Sequence, residues 1–309
     1  MNTTHARGVG HRARGFSLVE LMISLTIGLF LVGTMLAVVL SSTSTAKTRD
    51  RAVDIQVNGR YAIELLKRDV QHAGFLGGTS LFFPDAPTAI PVANVCDASA
   101  IGRMSLRVWG TNDMNPYSGS CIPDDSYARG DVLVVRRLSM SAVAGPYAGN
   151  RIYFRSAYEG GQYFQGPTPP DFSGTNRQPP YNDYTLEETV YYISPYTDSP
   201  NESPRVPALY RMRLSPGPAM LPELVASGVE NMQVRYGRFD PVLGTQYFDA
   251  AAVADWDDIS SIQVTLLVRT TTPEPGYQNT TTYEMGDQQI TANDGFRRMV
   301  LTSVVQLRN

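Results

Sequence analysis

The chain has 309 residues, of which 42% are hydrophobic and 18% charged, enough for one large domain or two ordinary ones. Its formal charge is −3, from 26 basic and 29 acidic side chains, which argues against nucleic acid as the main partner because nucleic-acid binding needs a basic face. The counts of Gly (26), Pro (21) and Tyr (17) indicate a loop-rich β protein.

An apolar run at residues 16–40 contains a single formal charge, Glu20. As a helix this run would be ~38 Å long, more than the ~30 Å hydrocarbon core of a bilayer. A removable secretory signal is the competing interpretation, with Ser44-Thr45-Ala46 as its cleavage site, but the apolar core of such a signal normally has about 7–15 residues. We therefore expect a retained membrane helix. Arginines flank the run on both sides, so the positive-inside rule does not decide its orientation.

The start of this run resembles the class III leader of type IV prepilins. Gly15-Phe16-Ser17-Leu18-Val19-Glu20 follows a short basic stretch, and the family pattern is a glycine, an aromatic residue that opens an apolar helix, and a glutamate at the fifth mature position. The resemblance implies a leader of residues 1–15, cleavage between Gly15 and Phe16 by a membrane prepilin peptidase, and N-methylation of Phe16. Cleavage before the apolar run would leave the helix on the protein as its anchor.

Further segments resemble the PilW family of minor pilins and are spread over most of the chain. They are LLKRDVQHAGFLG (65–77), LVASGVENMQVRYG (224–237), SSIQVTLLVRT (260–270) and VVQLRN (304–309). The region from about 78 to 220 contributes little to this resemblance.

Glu20 has two interpretations. In the first, the carboxylate reaches the membrane interface from a position near the helix end. In the second, which the pilin resemblance implies, it meets the new amino terminus at Phe16 of a neighbouring subunit. A carboxylate in hydrocarbon is costly without a partner, so this pairing would favour ordered assembly.

Beyond the membrane, an apolar stripe predicts that the helix continues to residue 74. Val53, Val57, Tyr61 and Leu65 recur every four residues, and we expect this stripe to pack on the protein's own head. Gly74 supplies a left-handed helix stop. Gly28 and Gly33 weaken the membrane part, either for close packing or to let it unwind on assembly; the sequence leaves both open.

The body, residues 75–309, alternates apolar and polar residues in segments typical of a largely antiparallel sheet. The predicted strands are MSLRVW (104–109), DVLVV (131–135), YRMRL (210–214), NMQVRY (231–236), SIQVTLLVR (261–269) and MVLTSVVQL (299–307). Residues 166–207 contain nine prolines, so we predict a long surface excursion over 166–207, which either carries contacts or is inert.

Cys96 and Cys121 are the only cysteines, and outside the cytoplasm an even pair predicts a disulfide. The leader contains two of the three histidines, leaving only His72 in the mature chain, so no zinc cluster or Cys–His pair is expected. We predict no catalytic, cofactor-binding or metal residues. The acid cluster at 255–258 matches no EF-hand spacing and is interpreted as a solvated turn rather than a calcium site.

Together these observations predict an α+β, pilin-like protein, in which a long amino-terminal transmembrane helix packs on a β-rich head. We expect a single-pass inner-membrane protein with a periplasmic head, assembled into a type IV pilus near its tip. The expected partners are the prepilin peptidase, other minor pilins and the major pilin, with no small-molecule substrate. The alternatives are a minor pseudopilin of type II secretion, a secreted hydrolase with a removable signal, and a tip adhesin that uses the 166–207 excursion.

Overall fold

The structure, a computed structural model, describes residues 15, 17–79, 96, 103–217 and 219–308. The chain divides into two compact units, Met1–Arg51 and Ala52–Asn309. Phe16, most of the predicted leader and the segment around Cys96 lie outside the described residues.

One long helix, α1 (Leu18–Gln71), carries the apolar run and continues without interruption through Gly28, Gly33 and Gly59. It ends three residues before the predicted boundary. The turn that follows runs through Gly74, whose φ of +79° is the left-handed conformation expected for a helix stop. The Gly74 amide donates to the carbonyl of Arg136 at 2.8 Å, so the end of the helix is tied to the head.

The predicted stripe on α1 was wrong in its amino-terminal part. Val53, Val57 and Tyr61 are 56%, 59% and 57% exposed, whereas the buried positions are Ile55, Gly59, Ala62, Leu65, Leu66, Asp69 and Val70. The reason is geometric: four residues of an α-helix turn through about 400°, so a strict four-residue repeat drifts ~40° around the helix at each step. Alternating steps of four and three residues stay on one face, and that face meets the head.

The body is built from antiparallel strands. They are β1 (Val108–Thr111), β2 (Val132–Leu138), β3 (Ile152–Ala157), β4 (Gly160–Gln165), β5 (Asn182–Ser194), β6 (Ala208–Leu214), β7 (Met220–Ser227), β8 (Val229–Asp240), β9 (Gly244–Asp249), β10 (Ile259–Arg269), β11 (Thr282–Met285), β12 (Gln288–Thr291) and β13 (Arg298–Gln306). A seven-stranded sheet has the order β1-β2-β5-β3-β4, with β6 beside β5 and β7 beside β6. A four-stranded sheet has the order β13-β10-β8-β9, and β11 and β12 form a hairpin. The α+β prediction is therefore confirmed.

Five of the six strand segments predicted from alternation coincide with observed strands, namely β2, β6, β8, β10 and β13. The segment 104–109 is only partly a strand, because Met104–Leu106 forms a 3-10 turn and β1 begins at Val108. Met104 is nevertheless fully buried, so its apolar character marks a packing position and not a strand.

The prediction of one surface excursion over 166–207 was also wrong. Its central part is β5, a buried strand of 13 residues that pairs with β2, β3 and β6. The prolines bracket this strand: Pro179 and Pro180 precede it and Pro195 follows it. Averaging the proline content over the whole stretch hid a proline-free segment of ordinary strand composition.

The largest apolar core joins the carboxyl-terminal part of α1 to both large sheets. Leu66 and Val70 of the helix pack with Tyr191 of β5, Val234 of β8 and Leu266 of β10. Full burial of one such side chain contributes about 1.5–3 kcal/mol. This packing holds residues 52–71 of α1 as an integral part of the head.

Candidate assembly site on the amino-terminal helix

The predicted assembly residue Glu20 lies in the first turn of α1, and the predicted processing residue Gly15 precedes that helix. Gly15 is exposed, and a Cβ atom built on it would meet no other atom within 4 Å. Phe16 lies outside the described residues. Ser17 accepts the first helical hydrogen bond, from the Leu21 amide at 3.0 Å. Glu20 is exposed in this turn, where the helix dipole favours a negative charge.

The segment that follows Glu20 is exposed along its length, and no residue that the structure describes covers it. Leu18, Phe30 and Met35 are 74%, 77% and 71% exposed. An 18-residue window of α1 has a mean hydropathy of 2.5 with none of it buried, so the helix is long and apolar enough to cross a membrane. The prepilin-type start and this apolar helix together indicate membrane anchoring.

The hydroxyl groups within the apolar segment are satisfied internally. Ser24 donates to the carbonyl of Glu20 at 2.7 Å, and Thr26 and Thr34 donate to carbonyls three residues earlier at 2.8 and 2.9 Å. Such bonds hide polar groups from hydrocarbon. The carboxylate of Glu20 forms no ion pair with any basic residue in the described part of the chain. The Glu20 carboxylate is therefore the charged group of this segment that no described basic residue neutralises, so its partner would be a group of another molecule.

The other end of α1 is held by a buried polar cluster that the sequence did not reveal. Asp69 is 4% exposed and accepts a hydrogen bond from the Tyr191 hydroxyl at 2.5 Å. Its carboxylate also lies 3.5 Å from Arg137 and 3.7 Å from Arg211. Burial, followed by the charge of Asp69, raises the pKa of Tyr191 far above its ordinary value, so the phenol remains a hydrogen-bond donor. These contacts dock the carboxyl-terminal part of the helix on β2, β5 and β6.

The two cysteines are joined. Cys96 and Cys121 form a disulfide across a sequence separation of 25 residues, which confirms the predicted bridge. Both are buried, and they pack in a second core with Tyr117 and Ile122.

The acid cluster at 255–258 is a turn, as predicted. The Asp257 amide donates to the Asp255 carboxylate at 2.9 Å. Trp256 turns inward and packs edge-on against Tyr236 at 4.8 Å between ring centroids. Within the described ranges, no three His, Cys, Asp or Glu side chains converge as a metal-ligand set.

Further buried charges were missed because their partners are distant in sequence. Arg136 and Glu188, each 1% exposed, form an ion pair at 3.0 Å between β2 and β5. Asp131 is also buried, which raises its pKa to about 7 although the amides of Val234 and Asp113 donate to it. Apolar alternation marks their strands, but no local pattern predicts which charges face each other.

Comparison with known proteins adds two family matches. Residues 10–41 match the prokaryotic N-terminal methylation motif. With the apolar helix that follows it, this match indicates a prepilin-type start, which implies processing by a prepilin peptidase and pilus partners in general. Residues 190–309 match the model described as Type IV Pilus-assembly protein W, so this part of the chain is similar to that family.

Among solved structures, a type IV-like pilin from Thermus thermophilus is similar at a TM-score of 0.37 and 14% identity, over 83% of this chain and 94% of that chain. A similarity at this score does not by itself define a shared fold. The comparison with curated proteins finds no match.

Proposed function

We propose that this chain is a minor pilin that is cleaved after Gly15, methylated at Phe16 and assembled through its apolar helix into a type IV pilus. The proposal rests mainly on Glu20, an exposed carboxylate without an ion pair in the described chain. It lies in the first turn of a helix whose apolar segment is exposed. The methylation motif at 10–41 and the PilW match support the same role.

Glu20 acts in this proposal as an assembly device. A charged residue near the centre of a membrane helix costs about 2.5–3.5 kcal/mol, and less near the interface. Cleavage before Phe16 creates a positive amine four residues from the acid. The amine of a neighbouring subunit offsets the cost of Glu20, and only a correctly staggered neighbour brings the two charges together. The unpaired acid therefore favours assembled subunits over isolated ones.

The head is periplasmic in this proposal, and the inner membrane holds the chain by a single pass at residues 16–40. The protein joins other minor pilins in a complex that primes the pilus and remains near its tip. It has a structural role, and the ATPase of the assembly machine supplies the work. The disulfide between Cys96 and Cys121 supports the location of the head, because such bonds persist in oxidising compartments.

The role of Glu20 is tested by making the same Glu→Leu substitution at two positions of α1, Glu20 and Glu64. Glu20→Leu is expected to be cleaved and inserted normally, because leucine suits a bilayer better than glutamate. Its recovery of partner pilins by co-purification should fall severalfold, and Glu20→Asp should be intermediate, because the charge remains but the side chain is shorter. Glu64→Leu, an exposed acid beyond the apolar segment, is the matched control and should recover partners normally.

Normal partner recovery by Glu20→Leu, at an equal membrane level, would show that Glu20 only reaches the interface. Assembly would then rest on the apolar helix face and the head.

A minor pseudopilin of type II secretion would share the leader, Glu20 and the anchor. The PilW match over residues 190–309 supports the pilus instead. Deleting the gene separates the two functions: the pilus proposal expects loss of twitching motility with normal exoprotein secretion, and the reverse result would favour the pseudopilin.

A further inference from the structure

Three separate segments of the head bring oxygen-bearing side chains together beside the amino-terminal half of β8. They are the loop after β1, with Asn112 and Asp113; β8 itself, with Gln233; and the β11–β12 turn, with Asp287 and Gln288. Gln233 Nε2 donates to Asp113 Oδ1 at 2.9 Å, and Asn112 Nδ2 donates to Asp287 Oδ2 at 2.9 Å. Gln288 Nε2 donates to the other oxygen of Asp113. Segments about 120 and 175 residues apart in sequence therefore meet at one place.

The backbone is shaped to bring these groups close. Asp113 has a φ of +49° and is the one non-glycine residue with a positive φ among those described. Gly286 has a φ of +60°, and a Cβ atom there would lie 3.2 Å from Cβ of Gln233, so the turn rests directly on β8. A non-glycine residue in the left-handed region is uncommon and is often associated with a functional site.

The negative charges at this place are not balanced. Asp113, Asp131 and Asp287 form no ion pair with a basic residue of the described ranges, and neighbouring Arg235 pairs with Asp249 at 3.2 Å. The carboxylate of Asp131 beneath them accepts the amides of Asp113 at 3.0 Å and Val234 at 2.7 Å. The place is therefore electronegative and lacks a cation from the described protein.

Two amide oxygens at the same place are buried and accept no hydrogen bond: Asn112 Oδ1 and Gln233 Oε1. Gln233 is 1% exposed, and its amide nitrogen donates to Asp113, so the amide whose oxygen is unsatisfied is itself part of this cluster. A buried carbonyl oxygen without a donor costs roughly 1–3 kcal/mol. Unsatisfied oxygens next to unbalanced carboxylates are the groups that a bound cation would satisfy.

We infer that this cluster is a calcium site, with ligands from the carboxylates of Asp113 and Asp287 and from the amide oxygens of Asn112 and Gln233, completed by water. Asp131 is a positioning residue, because its buried carboxylate accepts the backbone amides of Asp113 and Val234 and so fixes the β1 loop against β8. The proposed ligand set contains two acids and two amides. It is therefore consistent with the finding that no three His, Cys, Asp or Glu side chains of the described chain form a metal-ligand group. A bound ion would fasten the β1 loop to the β11–β12 turn across β8.

The chemistry favours calcium among the common metals. All the ligands are oxygens, and calcium accepts irregular sets of six to eight carboxylate, carbonyl and water oxygens. Magnesium requires nearly octahedral geometry, and zinc prefers His and Cys, neither of which occurs at this cluster.

The test is thermal unfolding of the full chain in detergent, after treatment with EGTA, with and without about 1 mM CaCl₂, a concentration at which extracellular calcium modules bind. Calcium is expected to raise the midpoint temperature, and the same concentration of MgCl₂ should have much less effect. Asp113→Asn and Asp287→Asn should each weaken the calcium response about tenfold, because each removes one ligand charge. Asp258→Asn, an exposed acid of the 255–258 turn, is the matched control and should respond like the wild type.

Equilibrium dialysis with calcium gives a second readout, with one bound ion per chain expected. Asp287 lies in an exposed turn, so its variant should fold even if Asp113→Asn does not. No calcium binding by the wild type would overturn the inference. So would equal responses to calcium and magnesium, or the same loss in Asp258→Asn as in Asp287→Asn. These results do not depend on pilus assembly, so the site and the proposed function can fail separately.

Discussion

The two parts of α1 have opposite relations to their surroundings. In residues 18–51 large apolar side chains are exposed and no described part of the chain covers them, whereas residues 52–71 bury one face in the core of the head. Residues 52–71 are therefore an integral part of the folded head. The other part needs a bilayer or other helices before its surface is satisfied, and Glu20, the one charge of the apolar run 16–40, needs a partner as well. The contrast separates the part of the helix that folds with the head from the part for which we propose assembly.

The largest difference should come from replacing one leucine by alanine on each side of the junction between residues 51 and 52 of α1. Leu66 is 1% exposed, and Leu66→Ala should destabilise the head by about 2–5 kcal/mol, because it removes buried contacts and leaves a cavity. Leu36 is 61% exposed, and Leu36→Ala should leave the unfolding midpoint of the head unchanged. Denaturant unfolding in detergent, followed by a probe in the head, measures both. Similar losses from the two variants would mean that the helix unfolds as one unit.

A smaller effect is expected from replacing each of two helix glycines with leucine. A Cβ atom at Gly59 would lie 2.3 Å from Cδ1 of Leu301 and 3.1 Å from Cγ2 of Val268, so Gly59→Leu should cost about 1–3 kcal/mol of head stability through overpacking. At Gly33 nothing lies within 4 Å of the same atom, and Gly33→Leu should not affect the head. Thermal unfolding compares the pair. A stable Gly59→Leu head would contradict the close approach of the helix to β10 and β13.

The smallest effect should come from the exposed stripe. Val57 is 59% exposed, so Val57→Thr should change the free energy of unfolding by less than about 0.5 kcal/mol. Ile55→Thr, two residues away on the buried face, is the matched control and should be clearly destabilising. If Val57→Thr is the more harmful variant, the other face of the helix packs on the head.

Sequence reasoning succeeded where a local pattern carries the information. Alternation located β8 and β10 because the apolar faces of both strands are buried. It failed for the helix stripe, where a period of four was taken for the period of 3.6, and for β5, where flanking prolines dominated the average composition. The Asp69 cluster and the oxygen cluster around Asp113 were not predictable, since their members meet only when distant strands pair.

Mass spectrometry of the mature amino terminus, on protein isolated from membranes, tests cleavage and methylation directly. We expect a chain that begins at Phe16 and carries one methyl group on its terminal amine, and we expect Gly15→Leu to block this form because a larger residue does not fit the peptidase. An amino terminus near Lys47 would instead show that the apolar helix is a removable signal, and an unprocessed terminus at Met1 would remove the amine that Glu20 is proposed to meet.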